Sequence, residues 1–253
     1  MFFKERKAVK DLTVRAGRGE AEAEFGLAER YWNGKGVRKD IKQSLELFGD
    51  AANHGSVNAQ LRLGELYYNG VADVYGDGTG IDRDYKKAAY WFEKAVENGA
   101  EISDELCMEL GEIYRWGEYG VEADPSKSLL WYLKVAEKGD EDAMGKLAGC
   151  YFILEDKENA LFWQNKAAAG GDVDAMCSLG AMYHDFGDIG NALIWYAKAA
   201  EKDDSFALCS LGEIYLNGDG VEKNPNKAEE YLRKSAALGY EEAQKLLEDN
   251  FKR

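Results

Sequence analysis

Four cysteines and two histidines are the residues of this 253-residue chain best suited to nucleophilic or metal chemistry. Cys107, Cys150, Cys177 and Cys209 form no Cys-x-x-Cys pair, and only His54 and His184 stand beside them. That supply cannot build a zinc-type ligand set, so no metal and no cofactor is expected. A Cys/His dyad would need the His184 imidazole within reach of the Cys177 thiol. The plainer reading is a histidine that closes a helix. Cys177 and Cys209 recur at one position of neighbouring segments, where stacked helices would hold them ~8–10 Å apart. A disulfide needs Cα atoms within about 7 Å. Free buried thiols in a reducing compartment are therefore expected.

Two loop motifs invite chemistry and supply little of it. Asn33-Gly34-Lys35-Gly36-Val37 and Asn217-Gly218-Asp219-Gly220-Val221 resemble phosphate loops. They join helix to helix rather than strand to helix, so they read as structural turns. In the segment 73–84, which holds the long turn, Asp73, Asp77, Gly78 and Asp84 fall at positions one, five, six and twelve of a calcium loop. Position three is Tyr75 and position twelve lacks glutamate, which favours an ordinary acidic loop.

The elements that carry these residues repeat. Tyr31, Tyr67, Tyr114, Tyr151, Tyr183 and Tyr215 each follow a leucine by four residues, and the residue after that leucine is always alanine or glycine. Leucine and tyrosine then share one helical face, and the small residue permits a close helix crossing. Downstream a second stripe recurs, as in Lys87-Ala88, Trp91-Phe92, Lys94-Ala95 and Ala192, Trp195-Tyr196, Lys198-Ala199. Alanines and aromatics at offsets of three and four form the apolar face of a helix. Each block ends near Gly55, Gly99, Gly139, Gly171, Asp203 or Gly239, glycine being the usual helix stop. A period of 32 to 37 residues, stretched to 47 once, with two helices per unit, predicts stacked helix pairs.

Small-x-x-x-Leu-Gly-x-x-Tyr, Gly-x-Gly-Val and Lys-Ala-x-x-Trp-Tyr-x-Lys-Ala-Ala together resemble the SEL-1-like repeat, a relative of the tetratricopeptide repeat. The resemblance covers about residues 19 to 247. It implies an all-α, right-handed α-solenoid of stacked helix-turn-helix repeats forming one domain over 1–253. Repeats fall at about 19–54, 55–98, 99–138, 139–170, 171–202 and 203–238, between half-repeat caps at 1–18 and 239–253. Repeats four and five lose the Gly-x-Gly turn and keep the shorter tetratricopeptide connection. The resemblance also implies a bacterial, non-enzymatic scaffold that binds a protein or peptide. The alternative is a hydrolase of the β-lactamase-linked branch. Against it, the chain lacks Ser-x-x-Lys, Ser-Asp-Asn, Lys-Thr-Gly and the regular cysteine pairs of those relatives.

By the same resemblance, positions at −5, −2, +2 and +5 from the repeat leucine line a concave groove. Its expected contacts are Glu29, Trp32, Leu61, Glu65, Tyr68, Met108, Glu112, Arg115, Phe152, Cys177, His184 and Glu213. The carboxylate rail is expected to be strongest in repeats one to three and to relax at Gly149 and Ala181. Such a groove suits a basic, partly apolar segment. A net charge of −15 disfavours nucleic acid and anionic membrane surfaces. No run approaches 18 apolar residues, so no membrane insertion is expected. The basic N-terminus lacks a following apolar stretch, which makes the cytoplasm the expected location, or the periplasm or exterior had a leader been removed. The oligomeric state is left open.

Overall fold

A computed structural model describes residues 2–73 and 80–251. Among these residues the chain is helical throughout, with one isolated β-bridge. A leading helix, α1 (Phe2–Ala16), precedes six helix pairs. The pairs are α2 (Ala21–Asn33) with α3 (Ile41–Asn53), α4 (Val57–Asn69) with α5 (Tyr85–Glu97), and α6 (Asp104–Trp116) with α7 (Pro125–Ala136). They continue as α8 (Glu141–Ile153) with α9 (Lys157–Ala169), α10 (Val173–Asp185) with α11 (Ile189–Ala200), and α12 (Ser205–Asn217) with α13 (Pro225–Ala237). A closing helix, α14 (Glu241–Phe251), follows. The fold class is the all-α repeat class of stacked helix pairs. Packing divides the chain into two compact units, Met1–Leu106 with Trp116–Ala123, and Cys107–Arg115 with Asp124–Arg253.

Aspartate starts most of these helices. The side chains of Asp40, Asp84, Asp140, Asp156, Asp172, Asp188 and Asp204 each accept the backbone N–H three residues on, at 2.7–3.1 Å. Each bond satisfies one of the donors that the first helical turn leaves without an intrahelical acceptor. Seven of the chain's acidic residues therefore serve to begin helices.

The two helices of every pair are joined by one recurrent bond. The backbone N–H of the residue that caps the second helix donates to the carbonyl of the repeat tyrosine. The six pairs are Asp40 to Tyr31, Asp84 to Tyr67, Asp124 to Tyr114, Asp156 to Tyr151, Asp188 to Tyr183 and Asn224 to Tyr215, at 2.6–3.0 Å. The turns between these partners differ widely in length. In the second repeat, Val71 and Ile81 exchange two backbone bonds of 2.8 Å, so the enlarged turn leaves and rejoins the repeat through a closed neck. Asp77 and Gly78 of the calcium-like pattern lie outside the described residues. Asp84, its twelfth position, caps α5 and ion-pairs with Lys87 at 3.1 Å.

The small residue after each leucine sits under the partner helix. A Cβ at Gly64 would stand 2.7 Å from the Phe92 ring, one at Gly180 2.8 Å from Tyr196, and one at Gly212 2.7 Å from Leu232. Gly111 packs in the same way against Tyr132. Where the second stripe has serine in place of alanine, the hydroxyl bonds to that small residue's carbonyl, Ser44 to Ala28 at 2.8 Å and Ser128 to Gly111 at 3.0 Å. The core of the first unit gathers around Phe48, Leu63 and Leu66, and that of the second around Leu179, Tyr196 and Leu211.

These contacts reverse the usual effect of glycine. Replacing a mid-helix glycine by alanine ordinarily stabilises by about 1 kcal/mol. Gly49 in α3 has open space around its missing Cβ. Gly49→Ala is expected to raise stability by up to that amount, whereas Gly64→Ala should lower it by about 1–3 kcal/mol through overpacking against Phe92. Urea denaturation of the two variants checks the pair, and a gain in both would refute the packing account.

Candidate functional site: the first-helix face

The residues singled out by repeat position fall into separate groups, one set in each unit. In the first unit, Arg62 of α4 links several of them. Its guanidinium lies 3.6 Å from the Glu29 carboxylate, donates to Glu65 at 3.3 Å and stands 5.2 Å above the Trp32 ring. Glu29 also accepts from the Asn33 amide at 3.1 Å. Leu61 is half-buried on the same helix, and Tyr68 packs edge-on against Tyr85 at 5.4 Å.

In the second unit, Lys146 of α8 pairs closely with Glu112 and reaches Asp142 at 3.8 Å. Arg115 lies over Gly149, where an added Cβ would come within 2.8 Å of its Nη2. Arg115, Asp142, Gly145, Lys146, Asp174 and Ser178 line a polar cleft of about 510 Å³. Met108 is half-buried, and Phe152 packs on Phe186 at 5.4 Å.

The carboxylates expected to be strongest in repeats one to three are therefore met by cations. Arg62 and Lys146 stand one residue before the repeat leucine, a register that the four groove positions omit. The signal was available, because that register lies three residues from the glutamates and shares their helical face.

Glu213 is in a different situation. It is half-buried, and it makes no hydrogen bond or ion pair among the described residues. Its pKa lies above the ordinary value of 4.5, first because burial disfavours its charge, then because Glu242 and Asp219 add negative potential, which His184 partly offsets. Sequence position alone gave no sign of Glu242, which arrives from α14.

Cys177 and His184 do not pair as nucleophile and base. The Cys177 thiol is buried and donates to the Asp204 carboxylate at 3.0 Å, the same oxygen that caps α12. Burial first, and then Asp204, push the thiol pKa far above the ordinary range, which keeps it protonated and unreactive. Burial likewise pushes Cys209 up to about 12. All four cysteines are buried and none forms a disulfide. Among the described residues no group of three or more His, Cys, Asp or Glu side chains could hold a metal ion. No described helix is long and apolar enough to cross a membrane.

The other histidine is an interhelical clamp. His54 Nδ1 lies 2.7 Å from Oε2 of Glu24, a carboxylate almost fully buried in α2. That hydrogen bond, and then the charge of Glu24, raise the His54 pKa above 6.5.

A helical repeat protein of the tetratricopeptide-like class is what these pairs, turns and caps define. The model of the Sel1 repeat matches residues 21–56, 57–99, 105–140, 142–172, 173–204 and 205–240, and the chain belongs to that family. It is 27% identical over 146 residues to chitin synthase regulatory factor 3 of Schizosaccharomyces pombe, covering 57% of this chain and 15% of that protein. It is 36% identical over 80 residues to the ERAD-associated E3 ubiquitin-protein ligase component HRD3A of Arabidopsis thaliana, covering 32% of this chain and 10% of that one. The chain thus spans a small part of the length of these curated relatives. Among solved structures, a protective antigen present in uropathogenic Escherichia coli strains and displaying an SLR fold is 30% identical. Its TM-score is 0.50, and the match covers 98% of this chain and 53% of that one. Repeats of this kind generally mediate protein–protein interaction, and the family's proteins are typically non-enzymatic scaffolds.

Two outcomes follow. With all four thiols buried and those of Cys150, Cys177 and Cys209 raised above their ordinary pKa, the native chain should react with Ellman's reagent at about pH 8 only after guanidinium unfolding, and a fast-reacting Cys177 would contradict the geometry. His54 binds its proton more tightly folded than unfolded, so its stabilisation is complete below about pH 6.5 and fades as pH rises through the raised value. The melting-temperature gap between the wild type and His54→Gln should therefore shrink between about pH 5.5 and pH 8.5, and a pH-independent gap would exclude the linkage.

Proposed function

We propose that the chain is a non-catalytic adaptor that holds a protein or peptide segment, basic and partly apolar, against the first-helix face of its repeats in a bacterial cytoplasm. Glu213 carries the reading. Other carboxylates of that face are already met, Glu29 and Glu65 by Arg62 and Glu112 by Lys146. Glu213 is half-buried with no such cation, under the negative potential of Glu242, and the exposed ring of Phe206 stands two turns earlier on α12. A lysine or arginine from a partner would relieve the cost of that partly desolvated charge while an apolar neighbour covers Phe206. Four buried cysteines outside any disulfide suit a reducing compartment. The protonated state of Cys177 supports an adaptor over a thiol hydrolase.

A short peptide alternating lysine and leucine is the probe, with a glutamate-leucine peptide as its control. Fluorescence anisotropy should show preference for the basic peptide and an affinity loss of about tenfold in Glu213→Gln, the size of one charge-assisted contact. Binding needs the ionised carboxylate, so affinity should fall as pH drops toward the raised Glu213 pKa. Equal binding by wild type and variant would refute the assignment.

A further inference from the structure

The second helices carry an exposed position two residues after the buried small residue of their stripe. At that register α3 and α13, in the first and last repeats, have Glu46 and Glu230, both exposed. In the second unit the same register in α7, α9 and α11 holds Leu130, Phe162 and Ile194, which are 39%, 50% and 53% exposed. Helix packing does not require an apolar side chain there, because Glu46 and Glu230 occupy the same place without one. Three repeats of this unit in succession instead present an apolar side chain to solvent, and in α5 of the first unit Tyr90, 48% exposed, holds the same register. Equivalent positions of stacked repeats form a row, and contiguous exposed apolar surface marks an interaction site.

A second row runs beside it. Four residues further along, one helical turn on the same face, stand Lys134, Lys166 and Lys198. Lys166 Nζ lies 4.6 Å from the Phe162 and Trp163 ring centres, and Lys198 Nζ 3.7 Å from that of Trp195. The rings hold these ammonium groups beside the apolar row. None of the three lysines makes an ion pair among the described residues. In a chain of net charge −15, a row of cations without carboxylate partners is a selective feature.

We infer that the α7–α9–α11 face of the second unit docks an amphipathic helix of a partner protein, with an apolar stripe and carboxylates along one flank. A helix laid across the three second helices would set its apolar stripe against Leu130, Phe162 and Ile194. Its carboxylates would meet the lysine row. This surface lies on the helices opposite those of the proposed first-helix site and asks for ligand of the opposite charge.

Two designed helices of about 20 residues test it, each with leucine at every seventh position and flanked by glutamate in one and lysine in the other. Anisotropy with the full chain should show binding of the glutamate helix and affinity at least about tenfold weaker for the lysine helix. Phe162→Glu reproduces the residue type of the outer repeats, so it should fold, with unchanged circular dichroism. It should weaken the glutamate helix about tenfold, while Phe162→Leu retains binding and Glu213→Gln has no effect. Equal affinity for the two helices, or indifference to Phe162→Glu, would overturn the proposal. So would a concentration-dependent dimer abolished by Phe162→Glu in ultracentrifugation, which would assign the face to a second copy of the chain. Binding to phosphatidylglycerol vesicles, lost in Phe162→Glu and without any binding of the glutamate helix, would assign it to a lipid surface and overturn it as well.

Discussion

The hydrogen bond from the capping residue of each second helix to the carbonyl of the repeat tyrosine is the constraint on which the rest of the structure depends. A helix end leaves carbonyls without intrahelical partners, and a helix start leaves N–H groups without acceptors. Here one bond uses a group from each end, and the same residue's side chain, an aspartate in five repeats and Asn224 in the sixth, satisfies a further donor of the new helix. The crossing is therefore held at a point that the intervening turn does not control. Four residues suffice between Tyr151 and Asp156, while the stretch from Tyr67 to Asp84 accommodates an excursion closed by the Val71–Ile81 bridge. Loop-closure entropy grows slowly with length, so a repeat with this junction can vary its turn at little cost to its stack.

Fold was highly legible because its signals are local and periodic. The leucine, small residue and tyrosine marked each first helix, and the glycine after the leucine became a close approach to Phe92, Tyr196 or Leu232 on the partner helix. The division into two compact units was not legible, because both sides of Leu106 and Cys107 carry the same repeat pattern and no composition shift. The capping role of the aspartates was also missed. Read as composition they suggested an acidic surface, whereas Asp40, Asp84, Asp188 and Asp204 each spend part of their negative charge on backbone donors.

The site was less legible, for a physical reason. Register assigns a face but does not report what neighbouring helices bring to it. Glu29 and Glu65 were assigned to one face, but their meeting through Arg62 depends on two helices whose phases combine only in space. Cys177 was placed beside His184 by helical spacing, yet its acceptor is Asp204, which arrives from the next repeat as the cap of α12. Glu242 reaches the surroundings of Glu213 from a terminal helix that sequence reading treated only as a cap.

A repeat array makes these differences interpretable, because its own copies serve as controls. Glu213 is informative against Glu29, Glu65 and Glu112, which share its register and have met a cation. Gly145 and Gly149 hold the places that Leu61 and Glu65 hold in the second repeat, and the space above Gly149 is taken by the Arg115 guanidinium. What every repeat preserves, the tyrosine carbonyl bond and the small residue under its partner helix, maintains the stack. Departures at equivalent positions do not follow from that requirement. Where a departure also leaves a charge partly desolvated or an apolar side chain in water, folding alone gives no reason for it, and the missing compensation is supplied most simply by another molecule.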